Sequence, residues 1–83
     1  MSTMDRYQAM KAAADGFNTA SRERGTSVSV YVHGGWRDDD PAKAGVSWSS
    51  IGTVDADTAA MYAERIIEAA ALARELNIEA VSA

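Results

Sequence analysis

The apolar positions of this chain change period twice, and each change marks a new element. In "STMDRYQAMKAAADGFNTASRER" the residues Met4, Tyr7, Met10, Ala14 and Phe17 recur at steps of three and four. A helix places them on one stripe that needs a partner surface. Ser2 or Thr3 can cap its start, and Asp5 sits in the first turn, where the helix dipole favours an anion. Arg22 and Arg24 suit the opposite end, and Gly25 offers the left-handed residue that closes many helices. Gly16, in the interior, weakens the helix by about 1 kcal/mol relative to alanine and is the place for fraying or a bend.

From Thr26 the period shortens to two. In "TSVSVYVHGGW" Val28, Val30 and Val32 fall on one face, with Ser27, Ser29, Tyr31 and His33 on the other, the mark of a half-buried strand. A second run, "AGVSWSSIGTV", puts Val46 and Trp48 on a common face, with Ile51 on the opposite one unless a bulge intervenes, and Gly45 and Gly52 bracket it. Of the two tryptophans, Trp48 is expected in the core and Trp36 outside it. The helical period then returns in "TVDADTAAMYAERIIEAAALARELN". Asp55 is the expected N-cap, Asp57 lies near the positive helix end, and Asn77 is the expected left-handed stop, with Ile78 folding back on Leu72 or Ala73. Tyr62, Ala63, Ile66, Ala70, Ala73 and Leu76 form the inner arc, opposite a charged stripe of Asp57, Glu64, Glu68 and Glu75. Ala60, Ile67 and Ala71 widen the arc into a second apolar surface, and the tail "IEAVSA" reads as a frayed end or short edge segment.

These elements predict one α+β domain over residues 1–83, ordered α-β-β-α, with two helices on one face of a two-stranded antiparallel hairpin. Two strands alone are marginal, and a chain of 83 residues buries little surface for its length. With no cysteine there is neither a disulfide nor a thiolate metal site to staple it. A homodimer is therefore expected, formed by pairing hairpin edges into a longer sheet or by packing Ala60, Ile67 and Ala71 of the last helix.

The net charge of −4 is unevenly placed: residues 1–25 carry four basic and three acidic groups, residues 55–83 two basic and six acidic. Arg6, Lys11, Arg22 and Arg24 are interleaved with acids and form no basic stripe, which argues against nucleic acid as a partner. No apolar run has the length of a membrane span, and "MSTMDRYQAM" lacks the apolar core of a signal peptide. A cytoplasmic setting is expected.

Candidate chemistry gathers in "HGGWRDDDPAKAG", residues 33–45. Asp38, Asp39 and Asp40 have the composition of a cation site, but adjacent residues in an extended chain point apart and the spacing of a calcium loop is missing. A solvated hairpin tip accounts for them. Gly34-Gly35 leads into Trp36 and acids, not into a helix N-terminus, so it does not build a phosphate loop. His33 is expected as an exposed cross-strand neighbour of a tryptophan or serine. A small hydrolase or ligand-binding protein using His33 and a nearby serine is the alternative reading, since serines stand at 27, 29, 47, 49 and 50. The aromatics and the arginine beside the tip are residue types that anchor protein interfaces. Tyr31, Trp36, Arg37, Asp38, Asp39 and Asp40 are thus the expected partner-binding residues. No cofactor and no metal are implied.

In "SVSVYV", the polar loop, the Trp/Ser strand and the acid-capped Ala-rich helix "TVDADTAAMYAERIIEAAALARELN", the stretch from Val28 to Leu76 resembles small hairpin-then-helix proteins of actinobacteria and their phages, a group largely of unknown function. It is also similar in texture to short, acidic, cysteine-free phage anti-defence proteins. The resemblance implies a non-catalytic accessory or inhibitor protein that acts by surface contact on a host protein with a basic surface, and it carries over no site residue.

Overall fold

A computed structural model describes the backbone of residues 3–34, 41–49 and 52–82, and side chains within 5–34, 41–49 and 52–78. Helix α1 (Thr3–Glu23) leads to strands β1 (Ser29–His33) and β2 (Lys43–Ser47), and helix α2 (Ala56–Ser82) follows. The strands pair antiparallel, Val30 opposite Val46, Val32 opposite Ala44 and His33 opposite Lys43. The α-β-β-α order and the α+β class are those the hydrophobic pattern predicts. The body is long and narrow, 45 × 18 × 17 Å.

The even-numbered strand residues supply the inner face. Val28 and Val30 are among the most buried side chains, and Val32, Ala44 and Val46 pack beside them. Against this face α1 lays Met10 and Ala14, with Tyr7 and Phe17 at the margin, and α2 lays Ala69, Ala73 and Leu76, with Tyr62, Ile66 and Leu72 at the margin. Each fully buried valine contributes about 1.5–3 kcal/mol by leaving water. The core is rich in alanine, so the helices come close without adding much apolar volume.

The helix ends show how local chemistry sets boundaries. Gly25 has φ 79°, the Thr26 N–H donates to the Ser21 carbonyl at 3.0 Å, and the Gly25 N–H donates to that of Arg22 at 3.0 Å. This pair of bonds is a Schellman closure, which satisfies carbonyls the helix would otherwise leave bare. Asp55 caps α2, where the Ala59 N–H donates to its carbonyl at 3.0 Å. Its carboxylate accepts from the Thr58 hydroxyl and backbone N–H, and this holds the Asp55 pKa below its ordinary value. α1 runs through Gly16 without interruption.

Three expectations are corrected. Asn77 does not stop α2: no described non-glycine residue has positive φ, the helix continues to Ser82, and Ile78 lies exposed instead of folding back. The tail is therefore helical. Gly45 lies inside β2, not at its edge. Trp48 is 56% exposed rather than core, because β2 ends at Ser47. Past that point the chain leaves the ladder, with the Ser49 N–H donating to Ser27 Oγ at 3.1 Å, and strand alternation no longer fixes which way a side chain points. Ile51 lies outside the described residues.

Candidate functional site

The outer face of the hairpin carries the odd-numbered residues Ser29, Tyr31, His33, Lys43, Gly45 and Ser47. Tyr31 is 46% exposed, and its ring lies across the neighbouring strand over Gly45, where any Cβ would collide with the phenol. The glycine therefore makes room for the ring. The His33 ring stacks on Tyr31 with centroids 5.5 Å apart and planes inclined by 26°. Lys43 stands opposite His33, so the cross-strand partner of the imidazole is an ammonium and not the expected tryptophan or serine. At the other end of the face the Ser29 and Ser47 hydroxyls approach to 3.4 Å. Trp48 follows one residue beyond β2.

This arrangement separates His33 from the serines on its own face. Four residue steps of strand separate His33 from Ser29, which at a rise of about 3.3 Å per residue is roughly 13 Å, with Tyr31 in between. The structure thus brings together Tyr31, His33 and Lys43, but no histidine–serine pair on this face. Among the described residues no group of three or more histidine, aspartate or glutamate side chains could hold a metal ion. Trp36, Arg37, Asp38, Asp39 and Asp40 lie outside the described residues. Of the partner-binding set, Tyr31 alone is placed, and it is exposed as expected. Among the described residues no helix is long and apolar enough to cross a membrane.

No family model, curated protein or solved structure matches the chain.

Two polar features tie the elements to one another. One is a pair of asparagines. The Asn18 amide donates to the Val30 carbonyl at 2.9 Å and accepts from the Val30 N–H at 2.7 Å. Asn77 does the same to Ala44, at 3.1 Å and 2.8 Å. In an antiparallel ladder alternate residues turn both backbone groups away from the partner strand, so each amide acts as one rung of a missing strand. The outer edge of β1 is tied to α1 and that of β2 to α2. Edge-to-edge dimerisation at these rungs would have to displace the asparagines, which serve the same purpose as other devices that blunt sheet edges.

The other feature is Arg65, in α2, which is 5% exposed. Its Nε donates to Ser21 Oγ at 2.7 Å, Nη2 to the Phe17 carbonyl at 3.0 Å and Nη1 to Glu68 at 2.7 Å. The guanidinium also lies 3.7 Å from the centroid of the Phe17 ring. Glu68 belongs to the charged stripe, but it is drawn inward by Arg65 and approached by Arg24 at 3.8 Å. A sign of this was present in the sequence: Arg65 precedes Ala69 and Ala73 by one and two helical steps of four, so it shares the buried stripe.

Proposed function

We propose that the protein is a non-catalytic binding module that presents the outer face of its hairpin to another protein. The observation that carries this reading is the exposure of Tyr31 and Trp48 on and beside a rigidly backed hairpin. Aromatic side chains in such positions offer large contact area at low conformational cost, and they are the residues that most often dominate binding energy. In the sequence after His33, Trp36, Arg37, Asp38, Asp39 and Asp40 are further candidate contact residues by their chemistry. Their three carboxylates and the net charge of −4 favour a partner with a basic surface. A phage-type accessory role against a host protein fits a small acidic module of this kind.

The test is affinity capture from lysate with the tagged wild-type chain and with a Tyr31→Ala/Trp48→Ala variant shown by circular dichroism to be folded. A protein retained by the wild type, lost by the variant and released by moderate salt supports the reading. A catch that is identical for both chains contradicts it. His33→Ala separates the alternative class: hydrolysis or ligand binding through the imidazole would vanish, whereas contact through Tyr31 and Trp48 would largely persist.

A further inference from the structure

The side of α2 that faces away from the core is patterned for another helix. Ala60, Glu64, Ile67, Ala71, Arg74 and Ile78 are all exposed and follow one another at steps of four and three, the seam of a coiled coil. They point opposite Ala69, which is completely buried. Ile67 and Ile78 are 67% and 65% exposed, and a shallow groove runs between Ala71, Arg74, Glu75 and Ile78. Neither Glu64 nor Arg74 makes an ion pair within the chain among the described residues.

We propose that the occupant of this face is a second copy of the same chain, docked with its α2 antiparallel and the two-fold axis at residue 69. A two-fold interface must be complementary to itself, and this seam is. Ala60 and Ile78, Glu64 and Arg74, and Ile67 and Ala71 lie nine, five and two residues to either side of position 69. In antiparallel packing each layer then sets a small residue against a large one or an acid against a base. A parallel pairing would stack Glu64 on Glu64 and Arg74 on Arg74, so charge selects the orientation. Glu68, near the axis, is held back by Arg65 and does not oppose its own copy. The dimer leaves both hairpin faces free, and it forms without disturbing the asparagine-capped edges of the sheet.

Sedimentation equilibrium of the untagged chain tests this. The wild type is expected to show a reversible monomer–dimer equilibrium in the micromolar range, as befits a seam of six residues, at the small end of specific interfaces. Glu64→Arg and Arg74→Glu each weaken association by about tenfold, because the symmetry makes every substitution act twice. The double variant Glu64→Arg/Arg74→Glu restores it, since each layer again holds opposite charges. Ile67→Lys abolishes dimerisation while circular dichroism remains unchanged. A strictly monomeric wild type overturns the proposal. So does a dimer indifferent to charge reversal, or a double variant as weak as the single ones, the last being the signature of parallel packing or another face.

Discussion

Replacing Arg65 should cost more stability than any other single polar substitution in this protein. Arg65→Met retains most of the aliphatic stem and deletes the guanidinium. Three hydrogen bonds and a contact with the Phe17 ring are lost, and they are not equivalent. Glu68 is half exposed and returns to water, so its bridge counts for no more than about 0.5 kcal/mol. The Phe17 carbonyl keeps its helical partner and loses only a second donor. Ser21, 1% exposed, is left with a buried hydroxyl facing a thioether, which costs about 1–2 kcal/mol. Loss of the contact over the Phe17 ring adds about 1 kcal/mol. Removing the charge also relieves the desolvation of a buried guanidinium, which works in the opposite direction. The net expectation is a loss of about 2–3 kcal/mol for Arg65→Met, and about 1 kcal/mol more for Arg65→Ala through the cavity it leaves. Urea denaturation followed by far-ultraviolet circular dichroism measures it. In a double-mutant cycle Arg65→Met and Ser21→Ala should couple by about 1 kcal/mol or more. A midpoint shift equivalent to less than about 0.5 kcal/mol for Arg65→Met would mean that the guanidinium does not hold the two helices together, since that is what an uninvolved surface position gives.

Other substitutions test the remaining supports. Asn18→Ala and Asn77→Ala each strip two hydrogen bonds from a strand edge and should cost about 1–2 kcal/mol in urea denaturation. The two losses should add, because the residues hold opposite edges of the hairpin. Gly16→Ala should raise stability by up to about 1 kcal/mol, because the position is helical and exposed and nothing lies within 4 Å of an added Cβ. The Asp55 pKa is lowered in the folded chain, so its stabilising effect is complete above the ordinary value of 3.8 and is lost as pH falls through the lowered one. Asp55→Asn keeps a capping side chain without that titration, and its urea midpoint should fall less steeply in this acid range than that of the wild type.

What the hydrophobic pattern reveals and what it conceals follow from the range of the forces involved. The core valines at 28 and 30, the Gly25 stop and the Asp55 cap depend on spacing or on neighbours within a few residues, and they can be read directly. Asn18, Asn77 and Arg65 act on backbone or side chains 12, 33 and 44 residues away. Such contacts leave no local trace beyond the place of Arg65 on the buried stripe of α2, and in Asn77 the local preference points the wrong way. An asparagine near a helix end suggests a left-handed stop, but here its amide is occupied by Ala44 and the helix continues. Trp48 misleads for a related reason: alternation assigns a face only while the strand lasts, and β2 ends one residue earlier.

Photo-crosslinking tests most directly whether this protein works through the outer face of its hairpin. A benzoyl-phenylalanine side chain would be placed in turn at Tyr31, at Trp48 and at Ala12 on the exposed back of α1. Positions 31 and 48 should each give one discrete adduct with another protein, suppressed by excess unlabelled wild-type chain, and position 12 should give none. A competable adduct from position 12 alone would contradict a role for the hairpin face.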